Sequence, residues 1–549
     1  MIQDKKSTDM SVNMSLKPAT RAGQVHLRQM LRLAAAVAFL IGIGLYASFN
    51  ADGLPGLSTQ GSWFLIVAVA VGGYMAMNIG ANDVANNMGP AVGSGAISLG
   101  WAILIAAIFE ALGAIVAGGE VVGTIKGGII DSKAFADPQQ FTWLMLAALL
   151  AGALWLNLAT MLGAPVSTTH SIIGAVMGAG IASGGWGLVN WGTIGSIVAS
   201  WIVSPLMGGI VAALFLYIIK RTMTYQADMT QAAARMVPVF VAVMAWVFVT
   251  YMLLKGVSQV LKVGFGAAVL WGGVIAVVVY LLVSKPIARQ ARRQSNSKDG
   301  VNALFTWPLV FSAALLSFAH GANDVANAIG PLAAIYEAIV DGVVSAEAAT
   351  PMWVMVLGAL GLSVGLALYG GRLIMTVGKE ITELDRMRAY SIAMSATLTV
   401  IVASHFGMPV SSTHVAIGAV FGVGFLRELL KVNYAKVETL VRAGHQGEDR
   451  EAVEAYLLRF EAAQVEEKRR MLAEMKKRAK AKGVVPQAAG ADVGAFDKKE
   501  RKALKKAYKQ EIVKRAVVMR IVAAWIVTVP ATALLAALLY HAVQYVMNP

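Results

Sequence analysis

GANDVANNMGP, Gly80 to Pro90, and GANDVANAIGP, Gly321 to Pro331, are near copies lying in two different halves of the chain. Each sets an aspartate inside strongly apolar sequence. A carboxylate at the centre of a bilayer costs roughly 2.5–3.5 kcal/mol on insertion scales, so two of them at matching places ask for a function. The surrounding residues supply one kind of chemistry: Asn82, Asn86 and Asn87 supply carbonyl oxygens that, with the aspartate, are hard ligands for a cation. Gly80, Gly89 and Pro90 predict a backbone that leaves the helix here and exposes its own polar groups.

Outward from these stretches the chain is that of a membrane protein. Its 549 residues are 57% apolar and 14% charged, with a mean hydropathy of +0.65, and many apolar runs reach the roughly 20 residues that cross about 30 Å of hydrocarbon as a helix. A water-soluble core is excluded. The fold expected is an all-α polytopic membrane protein with twelve or thirteen crossings, some of them broken or re-entrant. The absence of cysteine removes disulfides and thiolate metal sites. The net charge of +15 fits Lys and Arg marking cytoplasmic loops against anionic lipid headgroups. Nucleic acid is not an expected partner, since the basic residues of the long hydrophilic stretch lack interleaved aromatics beyond Tyr508.

In chain order, residues 1–28 form a basic cytoplasmic tail and 29–49 an extra first helix, too long for a signal-peptide core and without a convincing cleavage site. A first repeat spans 62–220 and a helix pair 237–284. A second repeat runs over 304–427, a hydrophilic cytoplasmic insert over 428–515, and a last span over 516–546. Lys220 and Arg221, and then Lys285, Arg289, Arg292 and Arg293, fall inside by parity; Glu337, Asp341 and Glu347 fall in an outside loop. The amino terminus is then inside, the carboxyl terminus outside, and the two GANDVAN segments run in opposite directions.

A second pair strengthens this reading. GAPVSTTHSIIGAVMG, Gly163 to Gly178, returns as GMPVSSTHVAIGAVFG, Gly407 to Gly422. Two similar halves of opposite orientation make an inverted-topology repeat, a plan of secondary carriers with midplane sites at the repeat interface. Pro165 and Pro409 interrupt helices, and Ser167, Thr168 and Thr169, with Ser411, Ser412 and Thr413, stand where new helices begin. The first amides of a helix lack internal partners and carry the positive end of its dipole, so two such starts brought together can clasp a tetrahedral oxyanion. Phosphate fits this geometry well and sulfate nearly as well, and the spacing does not separate the two. An anion also needs its charge offset near Asp83 and Asp324, which implies a coupling cation; oxygen ligands suit Na⁺ and a buried carboxyl suits H⁺.

The paired GANDVAN motifs with paired PVSTTH and PVSSTH motifs resemble the inorganic phosphate transporter (Pit) family of secondary symporters, over nearly all of the chain outside the first helix and the insert. The resemblance implies that Asn82, Asp83, Asn86, Asn323, Asp324 and Asn327 line the cation and phosphate pathway and that the Ser/Thr clusters hold phosphate. It implies no cofactor, phosphate import coupled to H⁺, as is common in bacterial members that carry neutral divalent-metal phosphate, or to Na⁺, as in other members, a homodimer among membrane lipids, and a bacterial inner-membrane location.

Other residues carry weaker signals. His170 and His414 are repeated and suit either a proton relay or a bond to a neighbouring carbonyl. Glu110 is a lone acid whose counterpart is Leu362 and suits either a cation or proton role or a structural hydrogen bond, and His320 lacks a partner because Ile79 occupies its matching place. Gly174, Gly178, Gly418 and Gly422 suit close helix packing. An intramembrane aspartyl protease is disfavoured, because no GxGD-type motif surrounds either aspartate, and no P-loop is present for ATP-driven transport. The sequence reads as a carrier and not an enzyme, with a sulfate permease of the same fold as the closest alternative.

Overall fold

The computed structural model describes residues 17–51, 59–131, 134–135, 137–256, 262–342, 350–380, 384–430, 459, 471 and 515–547. Almost all of the 428–515 insert therefore lies outside the described residues.

The helices are α1 (Lys17–Ala51), α2 (Thr59–Gly93), α3 (Leu99–Ala117), α4 (Gly119–Gly127), α5 (Pro138–Leu162), α6 (Thr168–Gly184), α7 (Trp191–Ile219), α8 (Met229–Tyr251) and α9 (Phe265–Ala291). They continue as α10 (Lys298–Leu304), α11 (Thr306–Asp324), α12 (Ala326–Val340), α13 (Met352–Glu380), α14 (Arg386–His405), α15 (Ser412–Leu430) and α16 (Arg515–Met547). The first helix begins within the stretch expected to be a tail. Among the described residues, 11 helical segments are long and apolar enough to span a bilayer. Leu206, Ile210, Leu281 and Leu282 are each more than 60% exposed, a surface that lipid tolerates and water does not.

That number is lower than the thirteen crossings expected, and α6 and α15 account for the difference. Both helices start deep inside the protein, with Thr168 2% and Ser412 4% exposed, after a non-helical stretch. Each stretch opens on a left-handed glycine, Gly163 at φ 72° and Gly407 at φ 64°, a conformation that a Cβ disfavours.

The first GANDVAN stretch also departs from expectation. It does not leave the helix: α2 runs unbroken through Asp83 with Pro90 inside it, and in the second copy α11 passes into α12 through Val325 with helical backbone angles and helical hydrogen bonds on both sides, Val325 N to Gly321 O and Ile329 N to Val325 O. The glycines serve close approach instead. A Cβ at Gly80 would fall on the Leu362 carbonyl of α13, and one at Gly321 on the Glu110 carbonyl of α3. The same matched geometry recurs elsewhere, with Gly178 of α6 against the Ala533 backbone of α16 and Gly422 of α15 against the Gly209 backbone of α7. Thus α2 packs on α13, α3 on α11, α6 on α16 and α7 on α15. Each of these pairs joins one half of the chain to the other.

Glu337 was expected in an external loop, yet it lies in α12, only 4% exposed, with its Oε1 2.5 Å from Lys126 Nζ of α4. An apolar helix pair can accept both charges together far more readily than one alone. Lys126→Met is expected to lower stability by about 3–5 kcal/mol, the cost of stranding one buried charge. Lys126→Met/Glu337→Leu recovers much of that loss. Melting of the purified protein checks both, and a double variant less stable than the single one would refute the pairing argument.

Candidate functional site

The matched packing carries the two motifs to one place. Asp83 and Asp324 are fully buried, and Ser167, Thr168, Thr169, Ser411, Ser412 and Thr413 are each less than 5% exposed. The acids and the hydroxyls, assigned to different tasks from the sequence, are in direct contact. Thr413 Oγ1 donates to Asp83 Oδ1 at 2.8 Å, and Ser412 Oγ donates to Asp324 Oδ2 at 2.5 Å. Asn86 Nδ2 donates to Thr413 Oγ1 at 2.9 Å, and Asn327 Nδ2 lies 3.2 Å from both Thr168 Oγ1 and Thr169 Oγ1. Every one of these bonds runs from a GANDVAN motif of one half to the helix start of the other or, for Ser412 and Asp324, between two elements of the second half.

The outer asparagines brace the breaks. Asn82 Oδ1 accepts from Val166 N at 3.2 Å while its Nδ2 donates to Thr160 Oγ1 at 3.0 Å. In the other half the Asn323 amide lies 2.9 Å from Ser404 Oγ. Ser167 and Ser411 cap α6 and α15, their hydroxyls accepting from His170 N and His414 N at 3.1 and 3.2 Å. The helix starts also meet directly: Thr169 Oγ1 donates to Val410 O at 3.1 Å, and Thr413 Oγ1, whose proton goes to Asp83, lies 3.4 Å from Val166 O.

Sequence reasoning missed the residue at the centre. His320 was set aside for want of a partner, yet its Nε2 lies 2.9 Å from Asp324 Oδ2 and 3.6 Å from Asp83 Oδ2, and its Nδ1 3.3 Å from Glu110 Oε1. Glu110 in turn accepts from Asn87 Nδ2 at 2.8 Å. The counterparts of His320, Glu110 and Asn87 are Ile79, Leu362 and Ala328, all fully buried and apolar. The three mismatched positions meet on one side of the two-fold arrangement. Their shared mismatch was the signal available in the sequence: polar residues that differ between halves at sites where each half is otherwise copied.

Several acceptor oxygens here have no hydrogen-bond donor, namely Asp83 Oδ2, Asn86 Oδ1, Asn327 Oδ1, Asn87 Oδ1 and Glu110 Oε2. Buried oxygens are rarely left so. Asp83, His320 and Asp324 also present ligand atoms all within 4.8 Å of one another. The arrangement is chemically suited to a small cation beside hydroxyl and helix-start donors.

A polytopic helical bundle with a buried polar centre built from both halves is the plan of a membrane transporter, and the comparisons with known proteins agree. The chain belongs to the phosphate transporter family, whose model matches residues 79–536. It is 48% identical over 539 residues to "Putative phosphate permease" of Helicobacter pylori strain J99, covering 97% of this chain and 98% of that protein. A relative of the same description from Pyrococcus abyssi is 40% identical and matches 93% of its own length but 69% of this chain. Much of the present chain therefore has no counterpart in the shorter relative. A solved structure of a sodium-dependent phosphate transporter superposes with a TM-score of 0.68 at 30% identity, covering 88% of this chain and 99% of that one.

Proposed function

We propose that the chain is a secondary symporter that imports inorganic phosphate with a monovalent cation by alternating access. Asp83 and Asp324 hold the cation, assisted by Asn82, Asn86, Asn323 and Asn327, and the starts of α6 and α15 hold the oxyanion through Ser167, Thr168, Thr169, Ser411, Ser412 and Thr413. The observation that carries this reading is the contact between the acids and hydroxyls in one buried centre that retains unpaired oxygens. A carboxylate touching an oxyanion site makes anion binding depend on positive charge placed between them. Hard oxygen donors favour Na⁺, and the likeness to a sodium-dependent transporter agrees. A second reading, H⁺ coupling, is favoured by His320 set among three carboxylates. The matched contacts of the halves support an inverted repeat, with opening to either face by movement of one half against the other.

Uptake of labelled phosphate and sulfate into proteoliposomes, under imposed Na⁺ or pH gradients and with or without Mg²⁺, tests these points together. Saturable phosphate uptake driven by one gradient is expected. Stimulation by Mg²⁺ assigns a metal complex as cargo. Uptake indifferent to both gradients, or equal carriage of sulfate, would overturn the proposal.

A further inference from the structure

Behind the two helix starts four rings form a continuous ladder. Trp201 of α7 stacks on His170 of α6 at 3.6 Å between ring centroids and 25° between planes; His170 meets His414 of α15 at 4.3 Å; His414 lies on Trp525 of α16 at 3.6 Å. The imidazoles are 5% and 3% exposed. The glycine faces join α6 to α16 and α7 to α15, whereas the outer ring contacts join α6 to α7 and α15 to α16. The ladder therefore ties together the two helix pairs that glycine packing leaves separate, and its middle step is a direct contact between the halves.

The ladder is also linked to the hydroxyls. His170 Nδ1 lies 2.7 Å from Ser167 Oγ, the oxygen that also accepts from His170 N to cap α6. A shift of the ring thus moves the cap. Among the described residues the imidazoles hydrogen-bond to neither Asp83 nor Asp324, and the rings stacked on their far sides are the indoles of Trp201 and Trp525. This is the geometry of a spacer.

We infer that His170 and His414 are positioning residues: through the Trp201–His170–His414–Trp525 ladder they set the separation of the α6 and α15 starts, and so the fit of the oxyanion between them. The inference rests on the proposed role of those starts in holding phosphate. A clamp of two helix ends gains its affinity from fixed spacing, since freedom between its parts must be lost on binding.

The test is reconstituted phosphate uptake by His170→Leu, His414→Leu, Trp525→Leu and the ring-retaining His170→Phe, His414→Phe and Trp525→Phe. The leucine variants are expected to raise the phosphate KM about tenfold, with maximal rate and half-saturating cation concentration within about threefold of the parent. The phenylalanine variants return most of the KM. Trp525 is half-buried, so its pair reports even where a histidine variant does not fold. An unchanged phosphate KM in folded leucine variants would overturn the inference, as would an equal loss in the phenylalanine variants, which would assign the effect to imidazole chemistry. Thr169→Val and Thr413→Val keep the two levels distinct. If these leave the phosphate KM unchanged, the helix starts do not hold the anion and the underlying reading fails, whatever the ladder variants do.

Discussion

Asp83→Asn and Asp324→Asn are each expected to abolish coupled uptake while leaving the protein folded. Asparagine matches aspartate in volume, so packing around α2 and α11 is preserved. The side chain still accepts the Thr413 or Ser412 hydroxyl bond. What is removed is a buried charge facing a cation, a loss of about 3–5 kcal/mol when one partner of a buried pair is deleted. At about 1.4 kcal/mol per tenfold, cation affinity falls by about a hundredfold or more, and uptake at ordinary cation concentrations falls with it. The measurement is cation-dependent uptake beside a melting curve for each variant. Undiminished coupled transport in both would remove the acids from the mechanism. Because His320 approaches both carboxylates and Glu110, His320→Gln gives an intermediate loss in the same assay.

Gly321→Leu and Gly80→Leu are expected to prevent assembly altogether. In each case the added side chain begins on a backbone carbonyl of the facing helix, Glu110 or Leu362, and backbone cannot turn aside. The helices must separate. Even one added methyl in a close-packed interior costs about 1–3 kcal/mol, and a full leucine multiplies the displaced volume at the seam that carries Glu110 and His320. Gly371→Ala provides the contrast, since a Cβ there meets only the tips of Leu99 and Ile103 at 3.6 and 3.9 Å. The yield and melting temperature of purified protein decide the matter: normal yield for both leucine variants would show that the seam opens at little cost.

The doubled motifs made the architecture legible, because an aspartate in lipid is costly and a copied one costlier still. The contacts between GANDVAN segments and helix starts follow from that copying. Three features did not. The continuity of α2 through its glycines was hidden because the same residue type serves both a break and a close approach. His320 was hidden because comparison of halves rewards likeness and its importance lies in the lack of it; Glu110 stood out as a lone acid, but nothing in the sequence joined it to His320. Trp201 and Trp525 were hidden by the insert, which shifts the second tryptophan about eighty residues beyond the register of the histidine pair. The long acidic and basic stretch thus obscures a correspondence that the stacked rings make plain.

The crossing of partners between halves has a consequence for the order of manufacture. The glycine face of α6 is completed by α16, and Gly184 leaves the ribosome about 330 residues before Arg515. At roughly 5–20 residues per second, that is about 17–66 s during which the bilayer must shelter a grooved, incomplete surface at the very helix whose first turn bears Thr168 and Thr169. The nascent chain reaches its working form only when its last helix arrives.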